Sequence, residues 1–147
     1  LDGDSRADIV WQHAVDGDVW AWLMGGATRL AQAYVGTVAD TTYVIRGAAD
    51  HSGDGKVEIE WWNTANGEVW LWNMDGTSLT SATWVATVSD TNWRIAANGD
   101  YDGDEMADFV WHNISTGEVW MWLMDGSTKA SESYVATVPD TLYRIVR

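Results

Sequence analysis

A fifty-residue period runs through the chain: Trp11, Trp61 and Trp111 align, as do Trp20, Trp70 and Trp120, Trp22, Trp72 and Trp122, and Met24, Met74 and Met124. Residues 51–97 laid on 101–147 without a gap share 21 identities in 47 positions. Three tandem copies are therefore present, about 1–50, 51–100 and 101–147.

Each copy reads as four short strands. In the middle one these are "YVIRGAA" (43–49), "IEWWNT" (59–64), "VWLWNM" (69–74) and a strand within "LTSATWVATV" (79–88), with turns at Asn66-Gly67 and Asp75-Gly76. Asn-Gly, like Asp16-Gly17 in the first copy, predicts a tight two-residue hairpin turn with positive φ angles. Side chains alternate along a strand, so Trp70, Trp72 and Met74 face one way and Val69, Leu71 and Asn73 the other. Both faces are largely apolar and must be covered. No segment has a helical period, so the cover is the sheet of the neighbouring repeat. Four-stranded sheets of this length stacked face to face around an axis describe an all-β fold of the β-propeller type.

Between the first and second strands of a copy lies an acidic loop, "DHSGDGKVE" at 50–58 and "DYDGDEMAD" at 100–108, with "DGDSRAD" at 2–8 as a shortened version. Crowded carboxylates raise one another's pKa unless a cation sits among them. Oxygen side chains fall at places 1, 3, 5 and 9 of the loop: Asp100, Asp102, Asp104 and Asp108; Asp50, Ser52, Asp54 and Glu58; and Asp2, Asp4 and Asp8. Place 7, held by Met106, Lys56 and Arg6, offers a backbone carbonyl. This spacing curls hard donors around Ca²⁺, and no thiolate or imidazole stands at places 1, 3, 5, 7 or 9 as zinc would require. The competing reading is a loop whose carboxylates only cap backbone amides.

The acidic loop, the apolar strand "ADFVWHN" that follows it and then "TGEVWMWLMDG" resemble the FG-GAP and VCBS repeats of bacterial secreted proteins and integrin-like propellers. The resemblance spans the whole chain. It implies that the loop joins the innermost strand of a blade to the second and binds Ca²⁺ through the matching residues. Ser52 and Glu58 depart from the family pattern.

On the fifty-residue register the C-terminal "YRIVR" is a first strand belonging to a following blade. Three four-stranded blades are too few to close a ring, since propellers have roughly 4 to 8. Either two chains exchange terminal strands and close a six-bladed ring as a homodimer, or the chain is part of a longer propeller.

A net charge of −14, with only eight Lys and Arg, lacks the basic footprint of a nucleic-acid binder. No apolar run approaches the ~20 residues of a membrane span, so no membrane insertion is expected. Twelve Trp and five Tyr stand beside a single Phe, and there is no cysteine, which removes thiol nucleophiles. His13, His51 and His112 occupy unrelated places in their repeats, so none is assigned a catalytic role. The periodic tryptophans are core candidates. Trp62 has the polar counterparts Gln12 and His112 and is predicted to be partly exposed. With Tyr34, Trp84 and Tyr134, it is a candidate for stacking on a sugar ring. "ADT", "SDT" and "PDT", at 39–41, 89–91 and 139–141, predict Asp-initiated turns between blades. The sequence thus points to a non-catalytic, secreted calcium-binding scaffold for adhesion to a protein or glycan ligand. The alternatives are a carbohydrate-binding lectin and an accessory module of a secreted polysaccharide-active enzyme.

Overall fold

The computed structural model describes residues 1–146, which form strands and no helix. Residue 147, the last of the expected C-terminal strand, lies outside the described residues. In the first copy the strands are β1 (Ile9–Gln12), β2 (Asp18–Gly25) and β3 (Thr28–Thr37). In the second they are β4 (Tyr43–Ala49), β5 (Glu58–Asn63), β6 (Glu68–Asp75) and β7 (Ser78–Thr87), and in the third β8 (Trp93–Gly99), β9 (Asp108–Asn113), β10 (Glu118–Asp125) and β11 (Thr128–Thr137). Each set is one antiparallel sheet in chain order, three-stranded for the first copy and four-stranded for the others. The sequence period therefore matches these strands, whereas the first strand expected at the C-terminus is not formed over its described residues, 143–146.

The hairpin turns differ from expectation. β5 ends at Asn63 and β6 begins at Glu68, leaving a four-residue connection in which only Gly67 has a positive φ, +79°. The Gly67 amide donates to the Asn63 carbonyl at 2.9 Å, and the Asn63 side chain accepts from the amides of Ala65 and Asn66 at 2.8 and 3.1 Å. Asn66 accepts in turn from the Glu68 amide at 2.9 Å, a bond the Thr116 hydroxyl also makes, with the Glu118 amide at 3.3 Å, in the third copy. Gly67 is required twice over, because a Cβ there would lie 1.8 Å from the Val88 carbonyl oxygen. That approach lets the Val88 amide donate back to Gly67 at 2.8 Å, tying the inner hairpin to the end of β7.

The middle sheet is covered on both faces, as its alternation demands. Val69 and Leu71 pack with Trp62, Ile95, Phe109, Trp111, Trp122 and Met124 between the second and third sheets. Ile59, Trp61, Met74, Trp70 and Trp72 pack with Val19, Ala21 and Leu1 between the first and second. One tryptophan pair recurs on each sheet, with ring centroids 4.9 Å apart for Trp11 and Trp22, 4.8 Å for Trp61 and Trp72 and 4.7 Å for Trp111 and Trp122. A buried Trp removes about 200 Å² from water, worth at most ~5 kcal/mol. Trp61 and Trp111 are each 1% exposed, but Trp11 is 48% exposed, because the first sheet turns that face away from the second. The three sheets stand side by side without closing into a ring. The second and third sheets adjoin through their first strands, β4 and β8, and the first and second through their last strands, β3 and β7.

Trp62 corrects the sequence reading. It is 1% exposed and lies between sheets, with the guanidinium groups of Arg94 and Arg46 at 4.6 and 5.7 Å from its ring. Its counterpart Gln12 shows why the place accepts polarity. Gln12 Nε2 donates to the Tyr43 carbonyl at 2.7 Å and its Oε1 accepts from the Ile45 amide at 3.1 Å. The place faces the backbone of the next sheet's first strand rather than water.

β4 and β8 each carry a one-residue bulge, at Arg46 and Ala96. Before each strand, an Asp side chain accepts from the amide two residues on: Asp40 from Thr42 and Asp90 from Asn92, both at 3.0 Å. The Asp-initiated corners expected from the repeated "DT" are therefore formed.

Candidate metal centre

All three acidic loops adopt the same coil. Places 4 and 6 take left-handed backbone in each, at Gly3 and Ser5, Gly53 and Gly55, and Gly103 and Glu105. A left-handed Glu105 is costly for a residue with a Cβ, so the loop's hydrogen bonds over-determine it. Asp100 supplies two of them, accepting from Gly103 N at 2.6 Å and Glu105 N at 3.1 Å. Asp104 accepts from Met106 N at 2.9 Å.

Asp108, fully buried, fastens the loop to its sheet. One carboxylate oxygen accepts from Tyr101 N and the other from Met124 N on β10, both at 2.9 Å. One oxygen each from Asp100, Asp102 and Asp108 converges to within 4.8 Å of one another. Asp104 is not in that group. The site's electrostatics are divided. The Gly103 amide holds Asp100 below its ordinary value, whereas desolvation, then the charges of Asp104, Asp108 and Asp100, push Asp102 above it. An all-oxygen donor set with one carboxyl raised by its neighbours fits a hard divalent cation.

In the loop at 50–58, Asp50 accepts from Gly53 N and Gly55 N at 2.7 and 2.8 Å, and Asp54 from Lys56 N at 2.8 Å. The Ser52 hydroxyl lies between Glu58 and Asp50, at 3.2 and 3.4 Å, where the third loop has the carboxylate of Asp102. Burial raises the Glu58 carboxyl, which accepts from His51 N at 2.7 Å. The Lys56 side chain leaves the loop for Asp75, at 3.0 Å. In the loop at 2–8, Asp2 accepts from Asp4 N at 3.2 Å, Asp4 takes both the amide and the guanidinium of Arg6 at 2.9 Å, and Asp8 bonds Met24 N at 2.9 Å and the nitrogen of Leu1. Among the described residues, the third loop alone brings three carboxylates together.

Sequence reasoning missed a buried polar cluster between the two complete loops. The Ala107 amide donates to the Asp50 carbonyl at 2.7 Å, and His51 Nδ1 donates to the Ala107 carbonyl. The His51 ring rests 4.6 Å from Phe109, and its Nε2 meets Glu60 Oε1 at 3.1 Å, an oxygen that also accepts from Asn98 at 2.5 Å. His51 and Glu60 are fully buried. The signal was present: Glu60 is a charge at a place held by Val10 and Val110 in the other copies.

Tyr34, Trp84 and Tyr134 are half exposed on the last strand of each sheet, each paired across the ladder with Trp20, Trp70 or Trp120. Near them a cleft of about 410 Å³ opens between the second and third sheets, lined by Trp93, Trp111, Trp120 and Trp122 with Asp90, Lys129 and Glu132. The indole nitrogens of Trp111 and Trp120 are buried there without a partner.

Compared with family models, with curated proteins and with solved structures, the chain finds no match.

Proposed function

We propose that the chain is a non-catalytic calcium-binding module of β-propeller type, of the FG-GAP and VCBS kind, serving outside the cell as an adhesion or interaction scaffold. The convergence of Asp100, Asp102 and Asp108 carries this reading. Three carboxylates with no nitrogen or sulfur donor among them suit Ca²⁺, and Asp104 stands on the same turn outside the cluster. The loops at 50–58 and 100–108 run from a sheet's first strand to its second, which agrees with the family pattern. Stacking of the middle sheet through both faces, and the contact of first strand β4 with first strand β8, support a radial arrangement.

The ion supplies counter-charge. Asp108 and Asp100 hold the loop's backbone while Asp102 gains a partner that offsets its neighbours' repulsion. Loops of this kind outside the cell bind at roughly 10⁻⁴ to 10⁻³ M and fill in extracellular calcium. Thermal melting in millimolar calcium and in EDTA tests the reading: a higher transition with calcium is expected, and identical transitions overturn it.

A second reading, a lectin, rests on the Trp-lined cleft, whose aromatic wall and charged rim of Asp90, Lys129 and Glu132 match the mixed apolar and polar faces of a sugar. Binding on a glycan array, abolished by Trp120→Ala, supports it. A blank array removes it.

A further inference from the structure

Three of the chain's eight Lys and Arg side chains gather in one place. Arg46, Arg94 and Arg144 line a hollow of about 400 Å³ together with His112, and among the described residues no acid stands in its wall, although the chain carries a net charge of −14. Arg46, Arg94 and His112 belong to β4, β8 and β9, so the hollow is built where the second sheet adjoins the third. The backbone aims these groups. β4 and β8 are bulged at Arg46 and Ala96, both in the wall, and an extra residue at such a point bends a strand and redirects its side chain.

The Arg46 guanidinium reaches across to the Ile95 carbonyl on β8 at 3.3 Å. It and the Arg94 guanidinium stand 5.7 and 4.6 Å from the ring of Trp62, so two like charges are held against one buried apolar surface. Arg94 donates through Nη1 to the carbonyls of Thr91 and Trp93, and Arg144 through Nη1 to those of Thr141 and Tyr143. Nε and Nη2 of Arg94 and Arg144 make no hydrogen bond among the described residues. Asp90, outside the wall, acts on Arg94, yet desolvation outweighs it and holds Arg94 below its ordinary value. His112 is 4% exposed, and its ring takes no hydrogen bond among the described residues. Burial, then the charge of Arg144, keeps that ring below its ordinary 6.5, so at neutral pH it is uncharged and presents one N–H. A buried polar ring without a partner and guanidinium forks with donors to spare both call for an acceptor.

We infer that this hollow binds a tetrahedral oxyanion, a sulfate or phosphate group, through Arg46, Arg94, Arg144 and His112. Guanidinium forks are matched to the oxygens of such groups and bind them with charge-assisted bonds. Donors arriving from three strands and from the segment after β11 approach from different sides, which suits a tetrahedral anion better than a flat carboxylate. The ion offsets the mutual repulsion of the arginines. The inference rests neither on closure of a ring nor on calcium.

Calorimetric titration of the 147-residue chain with sodium sulfate, in EDTA and at an ionic strength fixed with sodium chloride, tests it. Saturable binding of one sulfate per chain is expected. Arg46→Gln and His112→Phe should each weaken it about tenfold or more; the second variant keeps an aromatic ring at the place where the middle copy has Trp62. Arg29→Gln, which removes the same charge from β3, should leave it unchanged. In the parent, proton NMR should show the His112 ring titrating at higher pH with sulfate than without, while His13 and His51 keep their values. Glucose 6-sulfate run in parallel distinguishes the sources: tighter binding than inorganic sulfate marks an anion carried on a larger molecule, and weaker binding marks the free ion. No saturable binding of either, an unmoved His112, or equal losses in Arg29→Gln and Arg46→Gln overturns the inference. Melting with calcium reports on the acidic loops separately, so either idea can fail alone.

Discussion

The amide of Ala107 donates to the carbonyl of Asp50 across 2.7 Å, joining one acidic loop to the next through backbone alone. Ordering of either loop therefore constrains the other. Calcium added to the apo protein should slow amide exchange at Ala107 as well as at Gly103 and Glu105. Exchange at Ala107 that ignores calcium would contradict this coupling.

Asp102 and Asp108 should respond differently to mutation. Asp108→Ala leaves the amides of Tyr101 and Met124 without their acceptor and should cost about 2–4 kcal/mol in denaturant titrations, with or without EDTA. Asp102→Asn relieves carboxylate crowding. It should be neutral or mildly stabilising in EDTA and destabilising, relative to the parent, only in calcium.

Acidity acts in two directions. Asp40, Asp90 and Asp100 have carboxyls held below the ordinary 3.8, Asp40 by the hydroxyl and amide of Thr42, Asp90 by the Asn92 amide and Asp100 by the Gly103 amide. Their stabilisation is present above that value and is lost as pH falls below it through the folded-state values. Asp102 and Glu58, each raised first by desolvation, oppose folding when ionised, so the apo protein should gain stability as pH falls from 7 through their raised values. In EDTA, melting temperature should peak on the acid side of neutrality and drop below about pH 4. With calcium the optimum should move toward neutral pH.

Gly67 and Gly126 separate two costs of a side chain. Gly126, φ +60°, has open space where a Cβ would project, so Gly126→Ala should cost about 1–2 kcal/mol from backbone strain alone. Gly67→Ala adds the collision with the Val88 carbonyl and should cost about 3 kcal/mol or more by chemical denaturation.

Trp62→Ala, removing a ring between two sheets, should cost about 3–5 kcal/mol in the same assay. Trp84→Ala, half exposed and opposite Trp70, should cost about 0.5–1 kcal/mol. The difference measures how far inter-sheet packing outweighs cross-strand contact.

Repetition made the strands legible: "VWLWNM" announced both its alternation and the need for cover on each face, and the sheets supply it. The acidic loop was legible as a coil of oxygens, though the spacing placed Asp104 with ligands that the fold brings together without it. Trp62 was misread because a polar counterpart was equated with solvent, when Gln12 reaches a neighbouring backbone. The Asn66-Gly67 turn was misread because only one of its residues needs left-handed backbone. The His51, Glu60 and Asn98 cluster was hidden for a related reason. Asn98 on β8 meets His51 and Glu60 from the neighbouring sheet, and a periodic alignment compares equivalent places without showing which unlike places meet.

The corner at Asp140 has the same shape as those at Asp40 and Asp90. The heading of each new layer is thus inherited from the one before, through a few local hydrogen bonds at Asp40, Asp90 and Asp140. Each corner is where the chain passes from one sheet toward the next, so stiffening or loosening a single one should change the angle between the sheets on either side of it.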